Sequence, residues 1–318
     1  MSCAGCGCAP FASGGCIASE TCSLELPVST RRCSDCRLLT GGLSLPRPDR
    51  FAHKGDFGRV LLLGGSPGYT GAPSLAAHAA MRGGAGLVWL GVPSSVYEIE
   101  AVKNDEAMVF ALETGADGLL TATARKNLRR RMASMDAIAA GPGAGKSLLT
   151  RQVTELLLRE YTGPLVLDAD SLNVLAENRS WLKESRARVV LTPHAGEFAR
   201  LYPEATGNPE GDAPAFAEAY GCVLVLKGHR TLLAFPDGRL FAVCAGNPGM
   251  AKGGSGDVLT GLLGAMLGRL EFDQAVLCAC WLHARAGDLA AETLGEYGML
   301  PTDIINNLPF AQKEITEE

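Results

Sequence analysis

The sequence predicts an α/β fold: a mostly parallel central sheet with helices on both faces and an antiparallel edge. Three observations carry this. Short, wholly apolar runs alternate with helical stretches from about residue 59 to 226, as expected for strands buried on both faces. Several of these runs end in Gly-rich or polar loops, as in βαβ units. A clear hairpin signal comes late, at Pro236-Asp237-Gly238, and apolar helices follow it.

The chain has 318 residues, with 47% hydrophobic residues and a net charge of −5. That length suits one large α/β domain or two small ones. No basic block is present, which argues against nucleic acid as a partner. The longest uncharged apolar stretch, 258–268, is too short to span a bilayer. No charged segment followed by an apolar one marks a signal peptide, so a cytoplasmic enzyme is expected.

Residues 1–50 are rich in Cys, Gly, Ser and Pro and lack an apolar period. They read as a disordered leader ending at Pro46-Arg47-Pro48, with the folded domain spanning 51–318. Seven of the eleven cysteines lie in the first 36 residues, including the pairs Cys3/Cys6 and Cys33/Cys36. Two such pairs suit zinc, but their separation exceeds the usual ribbon spacing, and no metal site is assigned. Cys222, Cys244, Cys278 and Cys280 lie in apolar surroundings and read as small core residues.

Arg59-Val60-Leu61-Leu62-Leu63 is the first strand, followed by Gly64-Gly65-Ser66 and an Ala-rich helix from Ala72 to about Arg82. Gly83-Gly84-Ala85-Gly86 ends that helix before the strand Leu87-Val88-Trp89-Leu90. The Gly spacing is not that of the dinucleotide fingerprint. Ala137-Ile138-Ala139-Ala140 is another strand, and a helix follows it as far as Tyr161. The segment Gly141-Pro142-Gly143-Ala144-Gly145-Lys146-Ser147 between them fits a loose Walker A pattern. Leu165-Val166-Leu167-Asp168 then resembles Walker B, so a P-loop enzyme using Lys146 and Ser147 stays open at this point.

Asp168 and Asp170 stand at the carboxyl end of a strand, where open α/β sheets bind ligands. Thr192-Pro193-His194-Ala195-Gly196-Glu197 closes the next strand. It reads both as ligand contacts and as a helix start capped by Thr192 with Pro193 at the first position. The strand Cys222–Leu226 ends in Lys227-Gly228-His229-Arg230-Thr231. Strands Leu232–Phe235 and Arg239–Val243 form the hairpin, and helices over about 258–269 and 272–294 complete the chain. His283, on an apolar helix face, reads as a core residue or polar bridge.

Gly246-Asn247-Pro248-Gly249-Met250-Ala251-Lys252-Gly253-Gly254-Ser255-Gly256-Asp257 carries the chemistry. Three glycines in four residues free backbone N–H groups to face an anion, and a helix N-terminus adds partial positive charge. Asp257 at that helix mouth is a cap or a general base. Lys252 beside the loop reads as an aid to nucleotide binding or as a solvent-facing cation.

Taken in order, these motifs closely resemble the ADP/ATP-dependent NAD(P)H-hydrate dehydratases of the ribokinase-like superfamily. The set adds Tyr69-Thr70-Gly71-Ala72-Pro73, Leu226-Lys227-Gly228 and 298–303, and covers about 54–309. The resemblance implies a ribokinase-like fold and repair of the (S)-hydrate of NADH or NADPH. ADP, giving AMP and phosphate, or else ATP, phosphorylates the ring hydroxyl, and phosphate then leaves. It implies Asp257 as base and the N–H groups of Gly253, Gly254, Ser255 and Gly256 as the phosphoryl cradle. Lys227, Gly228, His229, Arg230, Thr231 and Gly256 would hold the AMP part. Ala72, Gly143, His194 and Asp257 would contact the hydrated dinucleotide, and Mg²⁺ would neutralise phosphate charge. A homo-oligomer is implied. The epimerase domain often fused in this family has no counterpart here, so that activity would sit on another chain. Under this reading the P-loop pattern falls to the substrate side. The alternatives are a ribokinase-like small-molecule kinase of the hydroxyethylthiazole type, a Walker-type NTPase whose Cys-rich leader binds metal, and a non-catalytic nucleotide-binding module.

Overall fold

The computed structural model describes residues 36–317. The strands, in chain order, are β1 (Cys36–Leu39), β2 (Arg59–Leu63), β3 (Leu87–Pro93), β4 (Met108–Leu112), β5 (Ala137–Ala140), β6 (Pro164–Leu167), β7 (Arg188–Leu191), β8 (Val223–Leu226), β9 (Leu232–Ala234) and β10 (Leu240–Val243). The helices are α1 (Gly71–Arg82), α2 (Tyr97–Lys103), α3 (Ala122–Met132), α4 (Leu148–Glu160), α5 (Ala169–Glu177), α6 (Ser180–Lys183), α7 (Ala195–Leu201), α8 (Pro209–Tyr220), α9 (Ser255–Leu267), α10 (Phe272–Gly298) and α11 (Pro301–Ile315).

These strands form one ten-stranded sheet in the order β1-β10-β9-β8-β7-β6-β5-β2-β3-β4. Neighbours from β8 to β4 pair in parallel, and β9 runs antiparallel to both β8 and β10. The expected α/β architecture with its antiparallel edge is therefore the observed one. The hairpin closes at Gly238, whose N–H donates to the Phe235 carbonyl at 3.1 Å.

Successive strand residues serve opposite faces, since side chains alternate with period two. Val60 and Leu62 pack with α1, α9, α10 and α11, whereas Leu61 and Leu63 pack with α3, α4, α5, α7 and α8. All four are buried, which is why the run needs no polar residue. Helix α10 continues three residues beyond a break at Gly295, where φ is 71° and ψ is 158°.

β1 lies within the stretch expected to be a leader. It pairs in parallel with β10, from Cys36 opposite Leu240 to Leu39 opposite Val243. Leu45 then bridges to Thr316 and is buried. The sheet thus takes in residues ahead of Phe51. Only Leu39 of the four β1 residues is buried, so the strand has almost no apolar period to read. Among the cysteines of the leader, Cys36 is described; Cys3, Cys6, Cys8, Cys16, Cys22 and Cys33 lie outside the described residues.

The placement of α9 depends on a close crossing with α1. A Cβ on Gly261 would stand 2.0 Å from the Ala76 carbonyl oxygen. Hydrogen at this position lets two helix backbones meet, and the small buried Ala76, Ala77, Ala79 and Ala80 provide the opposing surface. Gly261→Ala must push the helices apart. The expected cost is about 2 kcal/mol, read from a urea midpoint; an unchanged midpoint would show that glycine does not set this spacing.

Candidate active site

Asp168, His194 and Lys227 follow the carboxyl ends of β6, β7 and β8, and the N-terminus of α9 faces them across a cleft of ≈ 700 Å³. This is the sheet edge at which open α/β folds bind ligands. Asp168 is 1% exposed. Its Oδ1 accepts from Lys227 Nζ at 2.9 Å and its Oδ2 from Thr260 Oγ1 at 2.7 Å. One carboxylate therefore orients the ammonium and ties α9 to the strand end. Glu197 Oε2 lies 4.0 Å from the same ammonium. Burial works to lower the Lys227 pKa, but Asp168, with Glu197 and Asp257, outweighs it and raises it.

His194 is itself the N-cap of α7, so the helix starts two residues later than a Thr192 cap would place it. Its Nδ1 accepts from the N–H groups of Gly196 and Glu197, while Glu197 Oε2 accepts from the His194 N–H at 2.8 Å. This capping box leaves the His194 ring half exposed at the cleft wall. The Lys227 N–H donates to the Pro193 carbonyl at 2.8 Å, which joins the two strand ends.

The loop leading into α9 follows α10 along its length. Asp288 on α10 accepts from the Gly246 N–H at 2.9 Å and from Asn247 Nδ2 at 3.0 Å. Asn247 Oδ1 then accepts from the Gly249 N–H, and Met250 packs in the notch left open by Gly287. Lys252 Nζ donates to the Tyr297 carbonyl at 2.8 Å and to the Met299 carbonyl. His283 Nε2 donates to the Ser255 carbonyl at 2.9 Å, and burial lowers that imidazole's pKa to about 4. His283 is thus a neutral polar bridge.

Gly254 caps α9 at φ 106°, where a Cβ would press on Leu75 and Pro301. A Cβ on Gly256 would stand 3.1 Å from Lys227 Nζ, so hydrogen there keeps room beside the ammonium. First-turn N–H groups have no carbonyl behind them in the helix, and Gly253, Gly254, Ser255, Gly256 and Asp257 line the cleft. Of the N–H groups expected to face an anion, that of Ser255 is already taken by the Lys252 carbonyl at 3.3 Å. The Ser255 hydroxyl is buried without a partner. Asp257 lies in this first turn and lines the cleft. Burial first, then the Asp168 carboxylate, pushes its pKa up to about 7, against the pull of Lys227.

The Walker-like segment is occupied by the protein itself. The Gly145 N–H donates to Asp170 Oδ2 at 2.7 Å, Ser147 caps α4 by accepting from the Thr150 N–H, and Lys146 is exposed. Gly143 packs against Tyr69 and Ala72 at the crevice between β2 and β5, where the strand order reverses. Ala169, next to Asp168, has φ 48° and is the one non-glycine with positive φ among the described residues. Left-handed backbone costs about 1 kcal/mol at such a residue.

The cleft gathers His194, Lys227, Gly228, His229, Thr231 and the stretch from Gly253 to Asp257. Arg230 is exposed and is not among its lining residues. Ala72 and Gly143 form the neighbouring crevice. Sequence reasoning missed Thr260 and Asp288, and it placed Asp168 at a ligand-binding strand end without naming its partners. An Asp at a strand end and a Thr one turn into a Gly-capped helix were the available signals. Among the described residues, no three His, Cys, Asp or Glu side chains converge as a metal cage.

The fold and the cleft define a ribokinase-like α/β protein with a Gly-rich helix N-terminus lining its cleft. The profile of the NAD(P)H-hydrate dehydratase family matches residues 60–310, and the chain belongs to that family. It is 35% identical over 276 residues to the ADP-dependent (S)-NAD(P)H-hydrate dehydratase of Neisseria meningitidis serogroup B, covering 84% of this chain and 88% of that one. The Bifunctional NAD(P)H-hydrate repair enzyme Nnr of Moorella thermoacetica is 41% identical over 290 residues, or 89% of this chain and 55% of that protein. The chain spans about half the length of the first such relatives. The Bacillus subtilis ADP/ATP-dependent NAD(P)H-hydrate dehydratase, co-crystallized with ATP/Mg²⁺, superposes with a TM-score of 0.71 at 31% identity, covering 86% and 95% of the two chains.

The electrostatics are measurable without substrate. Asp257 should titrate near pH 7 in carboxyl-detected NMR spectra. Asp168→Asn should lower that midpoint and Lys227→Met should raise it. A midpoint in the ordinary carboxylate range, insensitive to both changes, would contradict this account of the cleft.

Proposed function

We propose that this chain restores NADH or NADPH from the (S)-hydrate, with ADP as phosphoryl donor giving AMP and phosphate. ATP is the alternative donor. The observation that carries the reading is Asp257 in the first turn of α9, beside the open N–H groups and with its pKa pushed up to about 7. Family membership supports the substrate and the nucleotide.

The chemistry starts from a poor leaving group. The hydrate carries a ring hydroxyl, and loss of hydroxide is slow. Asp257, as carboxylate, takes the hydroxyl proton while the oxygen attacks the terminal phosphorus of the nucleotide. One O–P bond forms, the bridging P–O bond breaks, and AMP leaves. The N–H groups at Gly253, Gly254 and Gly256 bind the charge on the transferring phosphoryl, while the Ser255 N–H, expected to join them, donates to the Lys252 carbonyl and shapes the turn. Lys227, oriented by Asp168, balances charge on the nucleotide side. The phosphorylated ring then loses phosphate and one ring proton, and the C=C bond returns. A pKa near 7 suits a base that must be ionised at neutral pH yet retain proton affinity.

Lys227, Gly228, His229, Arg230, Thr231 and Gly256 are assigned to the AMP part. Ala72, Gly143, His194 and Asp257 are assigned to the hydrated dinucleotide, which would extend from the cleft toward the β2–β5 crevice. Magnesium fits as an ion carried by phosphate, since Mg²⁺ keeps several waters and needs only one or two carboxylates. When bound, the ion neutralises phosphate charge. Relatives named as bifunctional NAD(P)H-hydrate repair enzymes support a second repair activity, and an epimerase on another chain is the proposed functional partner. No described helix is long and apolar enough to cross a membrane; a cytoplasmic homo-oligomer completes the proposal.

The test is incubation of the purified chain with the (S)-hydrate and ADP, or ATP, following reduced-nicotinamide absorbance and released phosphate. Coupled recovery of both supports the reading; a phosphorylated product that accumulates points instead to a kinase. Asp257→Asn should lower kcat by at least about 10²-fold. Lys146→Ala should stay within about twofold of the wild type. The reverse order would restore the P-loop reading. Activity should rise with pH through about 7 as Asp257 ionises, and Asp168→Asn should move that limb to lower pH.

A further inference from the structure

Lys252 stands immediately before the phosphoryl cradle, where a cation invites assignment to the nucleotide phosphates. Lys252 lines the cleft, but its ammonium is engaged elsewhere. Nζ donates to the carbonyls of Tyr297 and Met299, beyond the Gly295 break in α10. The Lys252 carbonyl in turn accepts from the Ser255 N–H, the first helical residue of α9. Lys252 therefore links the end of α10 to the start of α9 through its side chain and its backbone.

The direction of the link follows from charge. Carbonyls at a helix C-terminus lack intrahelical donors and carry partial negative charge, so an ammonium is well placed against them. The Gly253-Gly254 pair that follows has little conformational preference of its own, and Gly254 sits at φ 106°. A loop of that kind needs an external anchor to hold its N–H groups toward one point. Asp288 anchors the loop's beginning, at Gly246 and Asn247. Lys252 anchors its end.

We infer that Lys252 is a positioning residue for phosphoryl transfer: it fixes the Gly253–Gly256 cradle against the α10–α11 junction rather than holding the nucleotide itself. This rests on the dehydratase reading above. Fixed donors stabilise transition-state charge because they need no reorganisation at the moment of reaction. A loosened cradle thus costs turnover more than it costs ground-state binding.

The test compares Lys252→Met, which keeps length and removes the donors, with Lys252→Arg, which keeps donors and charge. In the repair assay, Lys252→Met should lose about tenfold or more in kcat, with the KM for ADP changed by less than about threefold. Lys252→Arg should recover a substantial part of that kcat. Hydrogen exchange of peptides spanning 249–257 should quicken in Lys252→Met and not in Lys252→Arg, at unchanged thermal midpoint for the rest of the chain. A rise in the ADP KM at unchanged kcat, steepest at low salt, would make Lys252 a phosphate contact and overturn the inference. Wild-type turnover and exchange in Lys252→Met would also overturn it. If the wild type fails to repair the hydrate, the functional reading falls, and the exchange comparison still tests the anchor.

Discussion

The Asp288 carboxylate accepts hydrogen bonds from the Gly246 amide and the Asn247 side chain, and from there to Ser255 the chain is laid against α10. Met250 fills the notch at Gly287, Lys252 reaches the carbonyls past Gly295, and His283 holds the Ser255 carbonyl. A Gly-rich loop has high conformational entropy and no side chains with which to hold itself. Its shape must come from a neighbour, and α10 supplies donors, acceptors and a groove in the right order. The cradle is therefore a property of α9 and α10 together. The close crossing of α9 with α1 then fixes where the cradle stands relative to the sheet.

The second constraint is electrostatic. Asp168, Asp170, Glu197 and Asp257 share one end of the sheet with Lys227. Asp168 is committed to Lys227 and Thr260 and cannot serve as a free base. Its charge nevertheless makes Asp257 harder to ionise, and burial adds to this. Asp168 thus plays two parts: it orients the cation that suits a phosphate, and it raises the proton affinity of the carboxylate proposed as base. The folded state holds the Asp257 proton to higher pH than an unfolded chain would, so stability declines as pH rises from the ordinary carboxylate range toward about 7. That cost at neutral pH falls on the carboxylate proposed as base.

Much of this was legible in the amino-acid order, and the exceptions share a cause. Runs such as Val60-Leu61-Leu62-Leu63 are apolar at every position because both sheet faces are covered, and that pattern survives without an alignment. The glycine loop ahead of α9 was legible because glycine spacing and the following apolar helix are local. Thr260 was not, since its partner Asp168 is 92 residues away. Asp288 holds Gly246 across 42 residues, and Lys252 reaches a carbonyl 45 residues on. Backbone acceptors leave no mark on residue type. The P-loop pattern at 140–147 misleads for the same reason: its Gly145 amide is already taken by Asp170, 25 residues later. β1 was read as leader because a half-buried edge strand of four residues carries too little apolar period.

The proposed reaction depends on where the transferring phosphate sits. A crystal structure of this chain with ADP and Mg²⁺ tests it most directly. The terminal phosphate should sit on the N–H groups of Gly253, Gly254 and Gly256, beside Asp257, with Lys227 toward the AMP part. A phosphate bound by the Gly141–Gly145 loop with Lys146 turned onto it would contradict the central claim.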